Sequence, residues 1–204
     1  MKKNILLAPY FLFNKNNEQF YSFSDNWIRY IKKLNFNINL YSENMDYDKN
    51  DALILPGSGD IFKISKINIE KNREKIEKQL IRYFIKKKKP ILTICRGSLF
   101  IASINGSKII KIKNHVKQNH IVMCNNKLIN TNSFHNYQIK NKPNNFDVLG
   151  ISKDKNLEIL YNNSKKILSL MFHPERKNKS QSFIDNMLRC FINGNINFSS
   201  WQKF

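Results

Sequence analysis

A cysteine that ends a run of strand-forming residues and stands just before a helix is well placed to act as a nucleophile. In this chain the stretch is Ile91-Leu92-Thr93-Ile94-Cys95-Arg96-Gly97-Ser98-Leu99-Phe100. Ile91 to Ile94 predict a strand and the small and apolar residues after Gly97 predict a helix, so Cys95 falls at the turn between them. First-turn N–H groups carry partial positive charge, and a thiol facing them is favoured as thiolate. The same turn leaves the Arg96 N–H free to donate to an oxyanion formed at an attacked carbon. Gly97 keeps the backbone narrow beside the turn. A buried, inert cysteine at a strand end is also common, so these ten residues leave both readings open.

A thiol nucleophile needs a base, and the base needs an acceptor that orients it. The chain has four histidines, His115, His120, His135 and His173. His173 ends an apolar run, and Glu175 follows two residues later across Pro174. Residues two apart at a strand end point the same way, and Pro174 restricts the backbone between them. The carboxylate can therefore lie beside the imidazole and stabilise the imidazolium formed when the thiol loses its proton. A surface His-Pro turn would use the same residues without any chemistry.

The remaining elements must hold these groups together. Residues 4–13 are apolar and predict a first strand; four clearly apolar residues between Lys3 and Pro9 are too few for the core of a secretion signal. Residues 25–34 carry Trp27, Ile28, Ile31 and Leu34 at helical spacing behind a Ser24 or Asp25 cap. Residues 36–41 alternate as a half-exposed strand does. Ala52-Leu53-Ile54-Leu55 reads as a buried parallel strand, broken by Pro56-Gly57-Ser58-Gly59-Asp60, a loop that exposes backbone N–H groups. Residues 70–89 predict a long basic amphipathic helix with Ile76, Leu80, Phe84 and Ile85 on one side. Strand and helix in alternation predict a doubly wound, mostly parallel sheet. Residues 108–112 and 120–123 predict short antiparallel pieces, and 130–138 a polar loop with an aromatic centre. Residues 146–152, 157–161 and 167–172 predict three more strands, and 181–192 a final amphipathic helix. No repeat or linker divides the chain, so residues 1–204 are expected to form one domain.

The formal net charge is +20, from 35 Lys+Arg against 15 Asp+Glu. That balance suits a nucleic-acid binder. The excess, however, is mostly lysine dispersed among asparagine and isoleucine, as an AT-rich genome supplies, and only Lys86-Lys87-Lys88-Lys89 is a cluster. An anionic small molecule is therefore the stronger expectation. Cys95, Cys124 and Cys190 are odd in number and widely spaced, which gives no disulfide or zinc pattern and predicts a reducing cytoplasm. No apolar run approaches the roughly 18 residues that would span a bilayer, so no membrane contact is expected.

Three segments, Leu55-Pro56-Gly57-Ser58-Gly59-Asp60, Ile94-Cys95-Arg96-Gly97 and Phe172-His173-Pro174-Glu175, resemble the signature blocks of class I glutamine amidotransferases, in the family's order and roughly its spacing. Asn132-Ser133-Phe134-His135 resembles the Asn-Ser-x-His block of that family's γ-glutamyl-hydrolase branch. The resemblance implies a flavodoxin-like α/β fold with a central, mostly parallel sheet flanked by helices. It implies a hydrolase that needs no metal and no organic cofactor. Cys95 would be the nucleophile, His173 the general base and then acid, and Glu175 its orienter. Backbone N–H groups of Gly57 or Ser58 and of Arg96 would form the oxyanion hole. Arg96, Ser133 and His135 would contact substrate, the last two near the α-amino and α-carboxylate ends of a glutamyl group. His115 and His120 fall where this branch often has histidines, and they receive no role.

Three departures from the family pattern matter. Thr93 stands where glycine is usual, implying looser packing at the turn. Leu99 replaces a glutamine that usually helps hold free glutamine, which points to another leaving group. Asn136 follows His135 where a second histidine is common. The reaction implied is cleavage of a γ-glutamyl amide through a thioester, releasing glutamate. Overall resemblance and positive charge favour an anionic, nucleotide-linked substrate, γ-glutamyl-CDP-amidate, giving cytidine diphosphoramidate for capsular polysaccharide modification. The alternatives are a glutaminase subunit feeding ammonia to a synthase partner, a γ-glutamyl-GABA-type hydrolase, and a basic nucleic-acid-binding protein.

Overall fold

The computed structural model describes residues 1–16, 18–113 and 115–195; the last nine residues of the expected domain lie outside them. In chain order the elements are β1 (Asn4–Leu7), β2 (Tyr10–Phe13), β3 (Gln19–Ser22), α1 (Asp25–Lys33), β4 (Asn37–Leu40), β5 (Ala52–Leu55), α2 (Phe62–Ser65), α3 (Asn68–Lys86) and β6 (Ile91–Ile94). There follow α4 (Arg96–Ile104), β7 (Ile109–Lys111), β8 (Val116–Cys124), β9 (Lys127–Phe134), β10 (Tyr137–Ile139), β11 (Asp147–Ser152), β12 (Leu157–Asn162), β13 (Ile167–Leu170) and α5 (Gln181–Asn193).

Nine strands form one sheet in the order β4-β1-β5-β6-β13-β12-β11-β8-β9. From β4 to β13 every neighbour runs parallel, and β12, β11, β8 and β9 extend the sheet antiparallel. The central strands β5, β6 and β13 are buried along their whole length, as parallel strands covered on both faces must be. Alternate residues feed opposite layers. Leu6, Leu53 and Ile91 pack with Leu80, Ile81 and Phe84 of α3 and with Leu99 and Phe100 of α4. Ile5, Leu7, Ile54 and Leu92 pack with Trp27 and Ile31 of α1 and with Ile184, Met187 and Leu188 of α5. The expected α/β fold, a large mixed sheet with its parallel centre between helices, is therefore the observed one. No helix among the described residues is long and apolar enough to cross a membrane.

Three local expectations are corrected. The first apolar run breaks at Ala8-Pro9, and its second half pairs with β3 as a separate hairpin. Residues 130–138 are not a loop throughout: Asn130, Asn132 and Ser133 belong to β9, which pairs with β8. The side chains of Asn132 and Ser133 are tolerated there because neighbouring backbone groups bond them. Thr93 does not loosen the turn. Its hydroxyl lies 2.7 Å from Ser169 Oγ and 3.2 Å from Ser98 Oγ, linking β6, β13 and α4.

Gly97 allows α4 to lie against β5, because a Cβ there would sit 2.6 Å from the Leu55 carbonyl oxygen. Gly97→Ala should therefore lower the unfolding free energy by about 1–3 kcal/mol through overpacking, read as a drop in urea midpoint. An unchanged midpoint would contradict the close approach.

Candidate active site

β5, β6 and β13 are adjacent and parallel, so their carboxyl ends open on one side of the sheet, where α/β folds place their ligands. Gly57 lies two residues beyond β5, Cys95 directly beyond β6 and His173 three residues beyond β13. Cys95 has φ 49° and ψ −105°, a strained conformation for a side chain with a Cβ, and its N–H donates to the Leu170 carbonyl at 2.7 Å. A Cβ at Gly57 would fall 2.6 Å from His173 Cε1 and 3.1 Å from Cys95 Cβ. The cysteine and histidine side chains thus meet over a glycine that has no room for more.

His173 Nδ1 lies 2.6 Å from Glu175 Oε1. A carboxylate accepts, so Nδ1 carries the hydrogen and Nε2 is left for Cys95. Burial works against the imidazolium. Hydrogen bonds and charge from Cys95 and Glu175 outweigh it, and His173 is raised to about 9. Cys95 is 7% and His173 3% exposed, and the side chain of half-buried Glu175 is 4% exposed. The structure therefore brings the three expected residues together.

Backbone clamps hold this geometry. Asn132 Oδ1 accepts from His173 N–H at 2.9 Å, and Asn132 Nδ2 donates back to the His173 carbonyl at 2.8 Å. Asn178 adds a second donor to that carbonyl at 3.0 Å and accepts from Asn132 N–H at 2.8 Å. On the other flank, buried Arg73 donates to the carbonyls of Pro56 at 3.0 Å and Ser58 at 2.8 Å. In a trans peptide the N–H points opposite to the preceding C=O, so the Gly57 N–H is turned away from Arg73. Arg96, the first residue of α4, has a backbone N–H with no partner inside the helix.

A cleft of about 370 Å³ opens over Cys95 and His173, lined also by Ser58, Asp60, Arg96, Leu99, Phe134, His135, Asn136, Tyr137 and Arg176. Two of the expected substrate contacts already have partners within the protein. The Arg96 guanidinium is paired with Glu77, with Glu70 at 3.0 Å and with Glu74 at 3.7 Å. Ser133 is fully buried and its hydroxyl donates to the His115 carbonyl. His135 does line the cleft, its Nδ1 lies 2.9 Å from the Tyr137 carbonyl oxygen, and burial pushes it down to about 4, so the ring is neutral.

Arg176 was missed by sequence reasoning. Its guanidinium lies 4.2 Å from the centre of the Phe134 ring and borders both the cleft and a neighbouring groove lined by Arg29, Lys33 and Lys177. Its place directly after the His-Pro-Glu block was the available signal.

The family profile described as glutamine amidotransferase class-I matches residues 18–190. The chain belongs to that family. Among the chain's relatives is the γ-glutamyl-CDP-amidate hydrolase of Campylobacter jejuni, 34% identical over 127 residues, covering 62% of this chain and 63% of that one. The carbamoyl phosphate synthase small chain of Buchnera aphidicola is 37% identical over 101 residues, 47% of this chain and 26% of that one. The match thus spans less than two thirds of these curated relatives' lengths. A solved glutamine amidotransferase from Thermotoga maritima superposes with a TM-score of 0.65 at 16% identity, covering 100% of this chain and 90% of that chain, which supports the fold alone.

The raised His173 fixes a pH dependence. A group whose folded pKa exceeds its ordinary value near 6.5 stabilises the fold fully below about that pH, and its contribution fades as pH rises toward about 9. NMR titration should give His173 a midpoint well above 6.5 in the native protein and a lower one in Cys95→Ala. Equal midpoints in the two proteins would contradict the Cys95–His173 coupling.

Proposed function

We propose that this protein hydrolyses a γ-glutamyl amide at Cys95 and releases glutamate. What carries the reading is the meeting of Cys95, His173 and Glu175 over Gly57 at the carboxyl ends of three parallel strands. The Cys95 sulfur, its proton already held on His173 Nε2, attacks the γ-carbonyl carbon as a thiolate. The oxyanion takes hydrogen bonds from the Gly57 and Arg96 N–H groups, and Glu175 steadies the imidazolium. Collapse breaks the C–N bond, with His173 returning the proton to the departing nitrogen and leaving a γ-glutamyl thioester. Water deprotonated by His173 then attacks the thioester and frees glutamate and Cys95.

The substrate we favour is γ-glutamyl-CDP-amidate, the leaving group being cytidine diphosphoramidate. The similarity to the Campylobacter jejuni hydrolase supports this. So does the positive charge of Arg176 at the cleft, 3.8 Å from Glu175, and of Lys177 in the groove beside it, which suits a diphosphate. Leu99, an apolar side chain on the cleft wall, argues against free glutamine as the preferred substrate. The competing reading, ammonia supply to a synthase partner, draws on the similarity to carbamoyl phosphate synthase small chains.

Glutamate release from γ-glutamyl-CDP-amidate, γ-glutamyl-GABA and glutamine separates these readings. We expect the nucleotide conjugate to be turned over fastest, with a loss of roughly 10³-fold or more in Cys95→Ala. Arg176→Ala should raise KM for it about tenfold, as one charge-assisted contact is worth. Glutamine as the best substrate, with activation by a synthase, would replace the hydrolase reading.

A further inference from the structure

A second cluster lies behind the His135 wall of the cleft, and the hydrolytic reading leaves it unused. Glu158 on β12 is fully buried, and neither of its carboxylate oxygens has a hydrogen-bond partner. Three imidazoles surround it: His115 just before β8, His120 on β8 and His135 just after β9. His115 Nε2 and His135 Nε2 each lie 3.8 Å from Glu158 Oε1, and His120 Nε2 lies 3.5 Å from Oε2.

The protonation pattern makes this arrangement unfavourable when left unfilled. His135 Nδ1 is 2.9 Å from the Tyr137 carbonyl oxygen. A carbonyl only accepts, so Nδ1 holds the hydrogen and Nε2 presents a lone pair. That lone pair faces a carboxylate oxygen, and both atoms are shut off from water without a hydrogen-bond partner. Two acceptors across 3.8 Å are too far apart for a hydrogen bond, and in a dry site they repel. The same spacing is near the edge of a coordination tetrahedron, about 3.3–3.6 Å for bonds of 2.0–2.2 Å. His115 Nε2, His135 Nε2 and a Glu158 oxygen all lie within 4.8 Å of one another. The Tyr137 carbonyl on the far nitrogen of His135 is the outer partner that a metal-bound imidazole typically has.

We propose that His115, His135 and Glu158 bind a zinc ion, which would replace the 3.1 Å contact that His115 Nε2 now makes with His120 Nδ1 and leave His120 beside the ligand set. The donor set is nitrogen-rich with a single carboxylate, which suits zinc and not calcium or magnesium. The ion would tie the β8–β9 hairpin to β12 across the end of β11, and so fix the His135 wall of the cleft. It takes no part in the hydrolytic chemistry.

The test is metal content and thermal stability of the purified full-length protein. We expect about one zinc per chain, a Tm lowered by chelation and restored by added zinc, and retention of the metal in Cys95→Ser. Glu158→Gln should hold less than about a tenth of the wild-type zinc. If that variant does not fold, the wild-type response to chelator and zinc decides by itself. A metal-free wild-type protein whose Tm ignores added zinc would overturn the proposal and leave a shared proton in the cluster. Zinc lost in Cys95→Ser and kept in Glu158→Gln would overturn it too, by placing the metal on the nucleophile.

Discussion

The backbone of Cys95, at φ 49° and ψ −105°, is the constraint on which the rest of the site depends. Holding a residue there costs about 1–3 kcal/mol, and it persists only where surrounding contacts over-determine it. Those contacts are all in place. The Leu170 carbonyl accepts from Cys95 N–H at 2.7 Å and lies 2.8 Å from Ser98 Oγ. The hydroxyls of Thr93, Ser98 and Ser169 join the strand before the cysteine, the helix after it and the neighbouring strand. Each such bond contributes about 0.5–1.5 kcal/mol net, so together they offset the strain. Gly97 lets α4 start immediately and close against Leu55. The thiol is thereby held clear of the sheet, facing the histidine.

The flank opposite His173 is built from buried charge. α3 presents Glu70, Arg73, Glu74 and Glu77 inward, and Arg96 completes the network from α4. Arg73 uses its remaining donors on the carbonyls of the Pro56-Gly57-Ser58 loop. Removing one partner from such a network leaves an uncompensated buried charge, which costs about 3–5 kcal/mol. Loop geometry is therefore locked as firmly as the cysteine turn. In the mechanism proposed, the two flanks hold the Gly57 and Arg96 N–H groups that would receive the oxyanion.

Much of this was legible in the sequence, and the misses have physical reasons. β5, β6 and α4 follow from unbroken apolar runs punctuated by Pro, Gly and a cysteine, and the structure has them where the pattern puts them. Cys95, His173 and Glu175 were readable as candidates from their strand-end positions, and the ordered blocks that resemble class I glutamine amidotransferases selected them over the inert alternatives. The β9 strand was hidden by its asparagines, which read as a loop. They are tolerated because Asn132 bonds the His173 backbone and the Asn178 side chain bonds its own N–H. α3 read as a basic surface helix since lysines dominate its composition, and the inward carboxylates show only once Arg73 and Arg96 are seen beneath them. Glu158 carried no signal at all: a lone acid on an apolar strand acquires meaning only from three histidines brought to it by the sheet.

The central claim is that Cys95 forms a covalent bond to the γ-glutamyl group. Acid quenching within the first turnover on γ-glutamyl-CDP-amidate, followed by mass spectrometry of the Cys95 peptide, tests it most directly. The account predicts a peptide heavier by one glutamyl residue, sensitive to hydroxylamine and absent in Cys95→Ala. Glutamate release at full rate with Cys95 unmodified throughout, or release that survives Cys95→Ala, would contradict it.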